Sequence, residues 1–279
     1  LKLNDAGDNT AVGFVALCAN TTGAGNAAVG TYSLDANTTG ANNVAVGTYA
    51  LTANTTASEN TAVGYVALST NTTGTSNAAF GRGTLQVNTT GSSNTAVGVN
   101  ASLENTTGSN NTAVGQEALK KTTTGSNNTA FGLQAGCAIT TSVCSTLIGN
   151  FAGDNITTGS RNVIIGKSSH PSAADGNDQS VIGHDIGGKG NETFTAGGSS
   201  GVFNENNTTA WQQTSDRRIK KNIVDNNIGL EKIAQIKVRD FEYRTLDEIT
   251  DFDTDDNRKA AVVNIKGVQV GAIAQEIEE

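Results

Sequence analysis

The sequence predicts an all-β solenoid, a parallel β-roll or β-helix, through residue 183, followed after a short neck by a small α+β segment. Three observations predict it. Glycine recurs every 17 residues without a slip, at Gly13, Gly30, Gly47, Gly64, Gly81, Gly98, Gly115, Gly132, Gly149, Gly166 and Gly183. The residue before each glycine is large and apolar, as in Val12, Phe80, Phe131 and Ile182, and the one before that is alanine eight times running, from Ala11 to Ala130. Composition is the third: of 279 residues 36% are hydrophobic and 5% aromatic, too few large side chains to fill a broad globular core.

Seventeen residues fall well short of the roughly 33-residue helical repeats and suit one coil of two short strands and two corners. Val, Ile and Thr favour the strands, and Asn and Gly the turns. With strands ~4.8 Å apart, ten steps stack into a rod of roughly 48 Å. Asparagine stands four residues before the glycine in nine of the eleven repeats, with Ser145 and Gln179 as exceptions. Half a repeat away, Thr-Thr pairs recur from Thr21/Thr22 to Thr157/Thr158, the first six preceded by asparagine. A fixed period stacks identical side chains on one another. On this reading the valine phase fills the interior, and the Asn and Thr phases form ladders in which each side chain bonds its copies above and below. The alanine row leaves room for another backbone to approach. Further copies of the chain are its expected occupants, and a homotrimer the expected assembly.

The net charge of -8 argues against nucleic acid as a partner. No apolar run approaches the ~18–20 residues of a membrane span, so no membrane insertion is expected, and no signal peptide opens the chain. A start at Leu1 points to a fragment or processed product. No nucleotide-binding glycine loop occurs, because these glycines follow coil geometry, and no cofactor is expected. His170 and His184 are too few for a metal site. The acidic run from Asp247 to Asp256 lacks the glycine and glutamate spacing of a calcium loop, so no metal is expected there either. Asn20 and Asn37 match glycosylation acceptors, but the strict period favours turn ladders. Cys18, Cys137 and Cys144 are odd in number. A Cys137–Cys144 disulfide is chemically sensible, with free thiols the favoured alternative.

The period stops at Gly183. Residues 184–214 are rich in Gly, Asn and Thr, include Trp211, and read as a neck or tip. Charge then rises abruptly: residues 1–214 hold 7 basic and 12 acidic residues, and residues 215–279 hold 11 and 14. That shift marks a boundary between the solenoid, 1–183, with its neck, 184–214, and the segment 215–279. Leu230, Ile233 and Ala234 have helical spacing, while Phe241-Glu242-Tyr243 alternates like a strand.

The N-T-A-V-G-x-x-A-L pattern over residues 9–183 resembles the head repeats of trimeric autotransporter adhesins, which are somewhat shorter, and the shafts of phage tail fibres. It implies a trimeric β-solenoid and no particular ligand. Ser-Asp-Arg-Arg-Ile-Lys-Lys-Asn-Ile at 215–223 and Gly-Ala-Ile-Ala-Gln-Glu-Ile-Glu at 271–278 resemble the C-terminal intramolecular chaperone of endosialidases and phage tail spikes. That resemblance implies a domain that trimerises, assists folding and then cuts itself off between Thr214 and Ser215. Ser215 and Lys220 take the places of the family's serine–lysine pair. A lysine whose pKa falls from about 10.4 on burial can accept the serine proton. Attack on the adjoining carbonyl is intramolecular. Asp216 is placed to orient the turn, and Lys221 stays open as the alternative base. Enzymatic activity is thus at most one self-directed cleavage. The family's domain continues into long helices that this sequence, ending at Glu279, does not include, so cleavage is expected to be slow or absent in this form.

These resemblances imply a structural and host-recognition component of a phage tail fibre or spike, located on the virion tail. Residues 184–214 would contact a cell-surface glycan or protein receptor. A cell-surface adhesin or extracellular filament subunit with the same chaperone is the second reading. An ice-binding solenoid, suggested by the threonine rows, is the third.

Overall fold

The computed structural model describes residues 7–198 and, beyond them, the backbone of four short strands. The chain forms two compact units, Leu1–Thr214 and Ser215–Glu279. In the first, each coil contributes one strand: β1 (Thr10–Val12), β2 (Ala27–Val29), β3 (Val44–Val46), β4 (Thr61–Val63), β5 (Ala78–Phe80) and β6 (Thr95–Val97). They are followed by β7 (Thr112–Val114), β8 (Thr129–Phe131), β9 (Thr146–Ile148), β10 (Val163–Ile165) and β11 (Ser180–Gly183). All pair in parallel, each residue opposite the one 17 positions on, as in Ala28 with Ala45. β12 (Phe194–Gly197) adds in parallel after a 14-residue step, with Ser180 opposite Phe194. Then β13 (Val202–Asn204) and β14 (Gln212–Gln213) reverse direction and complete a 14-stranded sheet. In the second unit, β15 (Arg239–Phe241) and β16 (Gln269–Gly271) form an antiparallel pair. The all-β solenoid of about eleven coils is therefore the architecture, with no helix among the described residues.

The coil has one strand, not the expected two. Its other walls are turns built on left-handed residues at three fixed positions, as at Tyr32 (φ 53°), Leu34 (φ 51°) and Asn42 (φ 59°), and again one coil on at Tyr49, Leu51 and Glu59. A left-handed leucine costs ~1–2 kcal/mol. Full burial of its side chain returns ~1.5–3 kcal/mol. Leu17, Leu34, Leu51, Leu68, Leu85 and Leu119 are all buried, and Leu34 N–H donates to Ala50 O at 2.9 Å, so burial wins at this position. Asn42 is polar and sits at the corner, where asparagine adopts this conformation readily.

The apolar phases are inverted relative to expectation. Alanine fills the interior: Ala28, Ala45, Ala62, Ala79, Ala96, Ala113 and Ala130 are 0% exposed. The valine column faces outward, with Val12 and Phe131 each 58% exposed. The opposite wall explains the choice. A buried leucine of the opposite turn, paired with a buried alanine in Ala16/Leu17, Ala50/Leu51, Ala67/Leu68 and Ala118/Leu119, already occupies the space facing the strand. Farther along, Leu147 replaces the strand alanine and Ile139 and Ile156 enter from the next corner, while the turn leucine becomes Gly136 and Gly153. A Cβ on Gly153 would lie 2.8 Å from Leu147 Cδ2 and 2.9 Å from Ile156 Cδ1. The bulk has moved across the coil without changing its bore, as close packing demands.

The other half of the interior is amide. One buried row, Asn20, Asn37, Asn54, Asn71, Asn88 and Asn105, is linked side chain to side chain, Asn37 Nδ2 donating to Asn20 Oδ1 at 2.7 Å. In a second row, each Oδ1 accepts the backbone N–H of the next member, as when Asn77 N donates to Asn60 Oδ1 and Asn94 N to Asn77 Oδ1, each at 3.0 Å. Both rows converge on one line of carbonyls: Asn77 Nδ2 and Asn88 Nδ2 both donate to Gly91 O at 2.9 Å. The asparagine ladders are thus as expected. The threonine ladder differs: Thr38 Oγ1 donates to the backbone carbonyl of Thr55 at 3.0 Å, not to a threonine hydroxyl.

The first asparagine row ends at Asn105. Thr122 follows, then Ile139 and Ile156. Asn105 Oδ1 and Thr122 Oγ1 are buried without partners. Thr122→Val keeps the shape and removes one orphan, so it is expected to stabilise the chain by ~1 kcal/mol, a rise of roughly 2–4 °C in thermal midpoint.

Candidate interaction face and cleavage segment

Strand alternation sends the first and third residues of β1 to β11 to the outer face and the second to the interior. The outer pairs run Thr10/Val12, Ala27/Val29, Val44/Val46, Thr61/Val63, Ala78/Phe80 and onward to Ser180/Ile182, and none includes a charged residue. Taking strands ~4.8 Å apart and a face roughly 10 Å across, this patch is on the order of 480 Å². That is within the roughly 300–600 Å² of the largest apolar patch on a typical monomer, and threonine or serine hydroxyls interrupt it at Thr10, Thr61, Thr95, Thr112, Thr129, Thr146 and Ser180. Close by, Phe14 meets Tyr32 edge-on at 5.6 Å and Tyr32 stacks on Tyr49 at 5.3 Å, binding the first three coils along one edge.

The expected contact between copies was the alanine row, and the burial of that row corrects it. Because Ala28 and its equivalents line the inside of the coil, no second backbone can reach them. The legible signal was the alternation itself: the middle strand residue, small from Ala11 to Ala130, points into the coil, and the two charge-free positions flanking it point out.

The threonine rows offer less than their sequence suggests. In eight of the nine pairs, all but Thr55/Thr56, the first threonine gives its hydroxyl to the next coil's carbonyl, from Thr21 to Thr38 O through Thr157 to Ala174 O. Only the second threonine row, Thr22, Thr39, Thr56 and their equivalents, presents hydroxyls outward. The Asn-Thr-Thr asparagines are buried and bonded on both sides, which removes Asn20 and Asn37 as glycan acceptors.

All three cysteines are free, so Cys137 and Cys144 are unpaired. Burial, then the nearby Asp154 carboxylate, pushes the Cys137 thiol up. Alkylation at mildly alkaline pH is expected to label the exposed Cys18 and Cys144 first and Cys137 about tenfold more slowly, read by mass spectrometry of digests. Charged contacts are local. Lys120 Nζ donates to Glu117 Oε1 at 3.1 Å and, with a hydrogen bond from Gln134, holds that carboxyl below its usual range. Arg161 grips Asp178 of the next coil through two bonds of 2.6 and 2.7 Å and lowers the Asp178 pKa.

His170 Nδ1 lies 3.0 Å from Pro171 O, and the exposed His184 lies 3.5 Å from Asp185. Among the described residues no group of His, Cys, Asp or Glu could hold a metal ion, and no helix is long and apolar enough to cross a membrane. Thr214, Ser215, Asp216, Lys220, Lys221 and Trp211 lie outside the described residues.

The fold defines a parallel β-solenoid with 17-residue coils and a charge-free outer sheet face. Residues 215–279 match the family model described as chaperone of endosialidase. No curated protein and no solved structure matches the chain. A β-solenoid rod followed by such a segment fits a phage tail fibre with a chaperone domain.

Proposed function

We propose that the chain is the rod and host-recognition part of a phage tail fibre or spike, assembled as a homotrimer and located on the virion tail. The observation that carries this reading is an unbroken 17-residue solenoid up to Gly183 followed, beyond residues 184–214, by a chaperone-of-endosialidase segment from residue 215. A repetitive chain needs copies aligned before it folds, because identical coils pair equally well in wrong registers. A trimerising chaperone supplies that alignment. The charge-free outer face of β1 to β11 is the surface that copies would share. Receptor contact falls on residues 184–214, with a cell-surface glycan or protein as ligand.

Release of the chaperone takes two acyl transfers, one to the serine oxygen and one to water. Ser215 Oγ attacks the Thr214 carbonyl carbon, Lys220 accepts the hydroxyl proton, and the Thr214–Ser215 C–N bond breaks as the amine takes a proton. Water then hydrolyses the resulting ester. The test is mass under native and denaturing conditions for the full-length gene product and for Ser215→Ala. Trimers that shed the segment only when Ser215 is present are the expected result. A native monomer overturns the assembly, and shortening of the Ser215→Ala chain overturns the assigned nucleophile.

A further inference from the structure

We propose that Phe80 and Phe131 fix the axial register between neighbouring copies of the chain. The inference rests on the association reading above and adds how copies find their height along the rod.

The outer face repeats with every coil. Between two uniform valine columns, sliding one copy by a coil exchanges each contact for an identical one and loses contacts only at the ends. Such a surface specifies register weakly, the known hazard of featureless strands. From β1 to β8 the third strand residue is valine except at two places, Phe80 in β5 and Phe131 in β8. Both rings project from the face, 42% and 58% exposed. Phe80 shares its strand's outer surface with Ala78, a small neighbour that leaves room for a ring from another copy. Phe131 shares its strand with Thr129.

Their spacing makes the pair discriminating. The two rings stand three coils apart, 51 residues along the chain. A slip of one or two coils sets every ring against a valine or, for Phe131, an isoleucine (Ile148 or Ile165) level, where no ring meets a ring. A slip of three coils matches one ring and misplaces the other. Only the unslipped arrangement brings Phe80 to Phe80 and Phe131 to Phe131. Neither phenylalanine is needed for the coil itself, since valine serves the same position in neighbouring coils.

The test uses the full chain with Cys18, Cys137 and Cys144 replaced by serine and with Val29→Cys and Val63→Cys on the outer face. These two positions are two coils apart, roughly 10 Å, too far for a disulfide within one chain. After oxidation, digestion and mass spectrometry, the parent is expected to yield 29–29 and 63–63 links between chains. In the Phe80→Val, Phe131→Val variant, those links are expected to fall at least twofold and 29–63 links to appear. Restoring either phenylalanine alone should recover part of the homotypic linkage. A double variant that keeps the parent's link pattern overturns the role of the two rings while leaving the association intact. A parent that remains monomeric by native mass overturns the association and this inference with it.

Discussion

Replacing Gly98 with alanine is expected to lower the thermal midpoint by on the order of 10 °C or more and to open the chain to protease between the sixth and seventh coils. Gly98 follows β6 directly with φ +127°, a conformation that L side chains rarely adopt. A Cβ there would sit 2.7 Å from both the carbonyl carbon and oxygen of Gly115. Gly115 cannot retreat, because its own N–H donates to Val97 O at 2.8 Å and holds the two coils in step. Backbone strain of ~1–3 kcal/mol adds to the overlap, for a total of roughly 4 kcal/mol or more. At ~2–4 °C per kcal/mol that gives the stated shift. In a one-dimensional array the damage is to one interface, so coils on either side should keep their protection in hydrogen exchange. A loss of less than 2 °C would show that the glycine column is not where neighbouring coils approach most closely.

Asn77→Ala is the second large effect, an expected loss of ~3–4 kcal/mol. Asn77 Oδ1 accepts Asn94 N–H at 3.0 Å and Asn94 Nδ2 at 3.1 Å, and Asn77 Nδ2 reaches Gly91 O. Truncation leaves the Asn94 N–H buried and unpaired. Gly91 O keeps its other donor, Asn88 Nδ2. One orphaned donor costs ~1–3 kcal/mol, and the lost bonds add about 1 kcal/mol each. Thr90→Ala on the exposed threonine row is the control, expected to change stability by less than ~0.5 kcal/mol. Equal midpoints for the two variants, by calorimetry at matched scan rate, would remove the amide rows from the list of what holds the rod together.

The period was legible in the sequence because Gly13 to Gly183 never slips, and the period alone implies parallel coils in register. The direction of each side chain was harder. Valine beside alanine invites the assumption that the larger residue is inside, yet the bore is set by the wall across from it. Leucines at 34, 51 and 68 leave space only for alanine. The exchange at Leu147 with Gly136 and Gly153 is visible in the sequence as broken consensus, but only the packing shows that the breaks compensate one another. The single strand per coil was hidden for a related reason: tyrosine and leucine in left-handed turns carry none of the usual turn signals. The serine and lysine of the cleavage reading came from motif order at 215–223, and the family match covers those same residues.

The reversal of direction after β12 has a consequence for the rod as a material. Each coil is a template for the next, and stacks of identical strands at this spacing are how fibrils elongate. Antiparallel pairing at β13 and β14 spaces donor and acceptor groups differently from the parallel ladder beneath. The edge at Gln212–Gln213 therefore does not offer an incoming β1 the pattern that β2 does. Among the described strands, the antiparallel turn at β12 to β14 thus interrupts the parallel template that the coils below it would pass on.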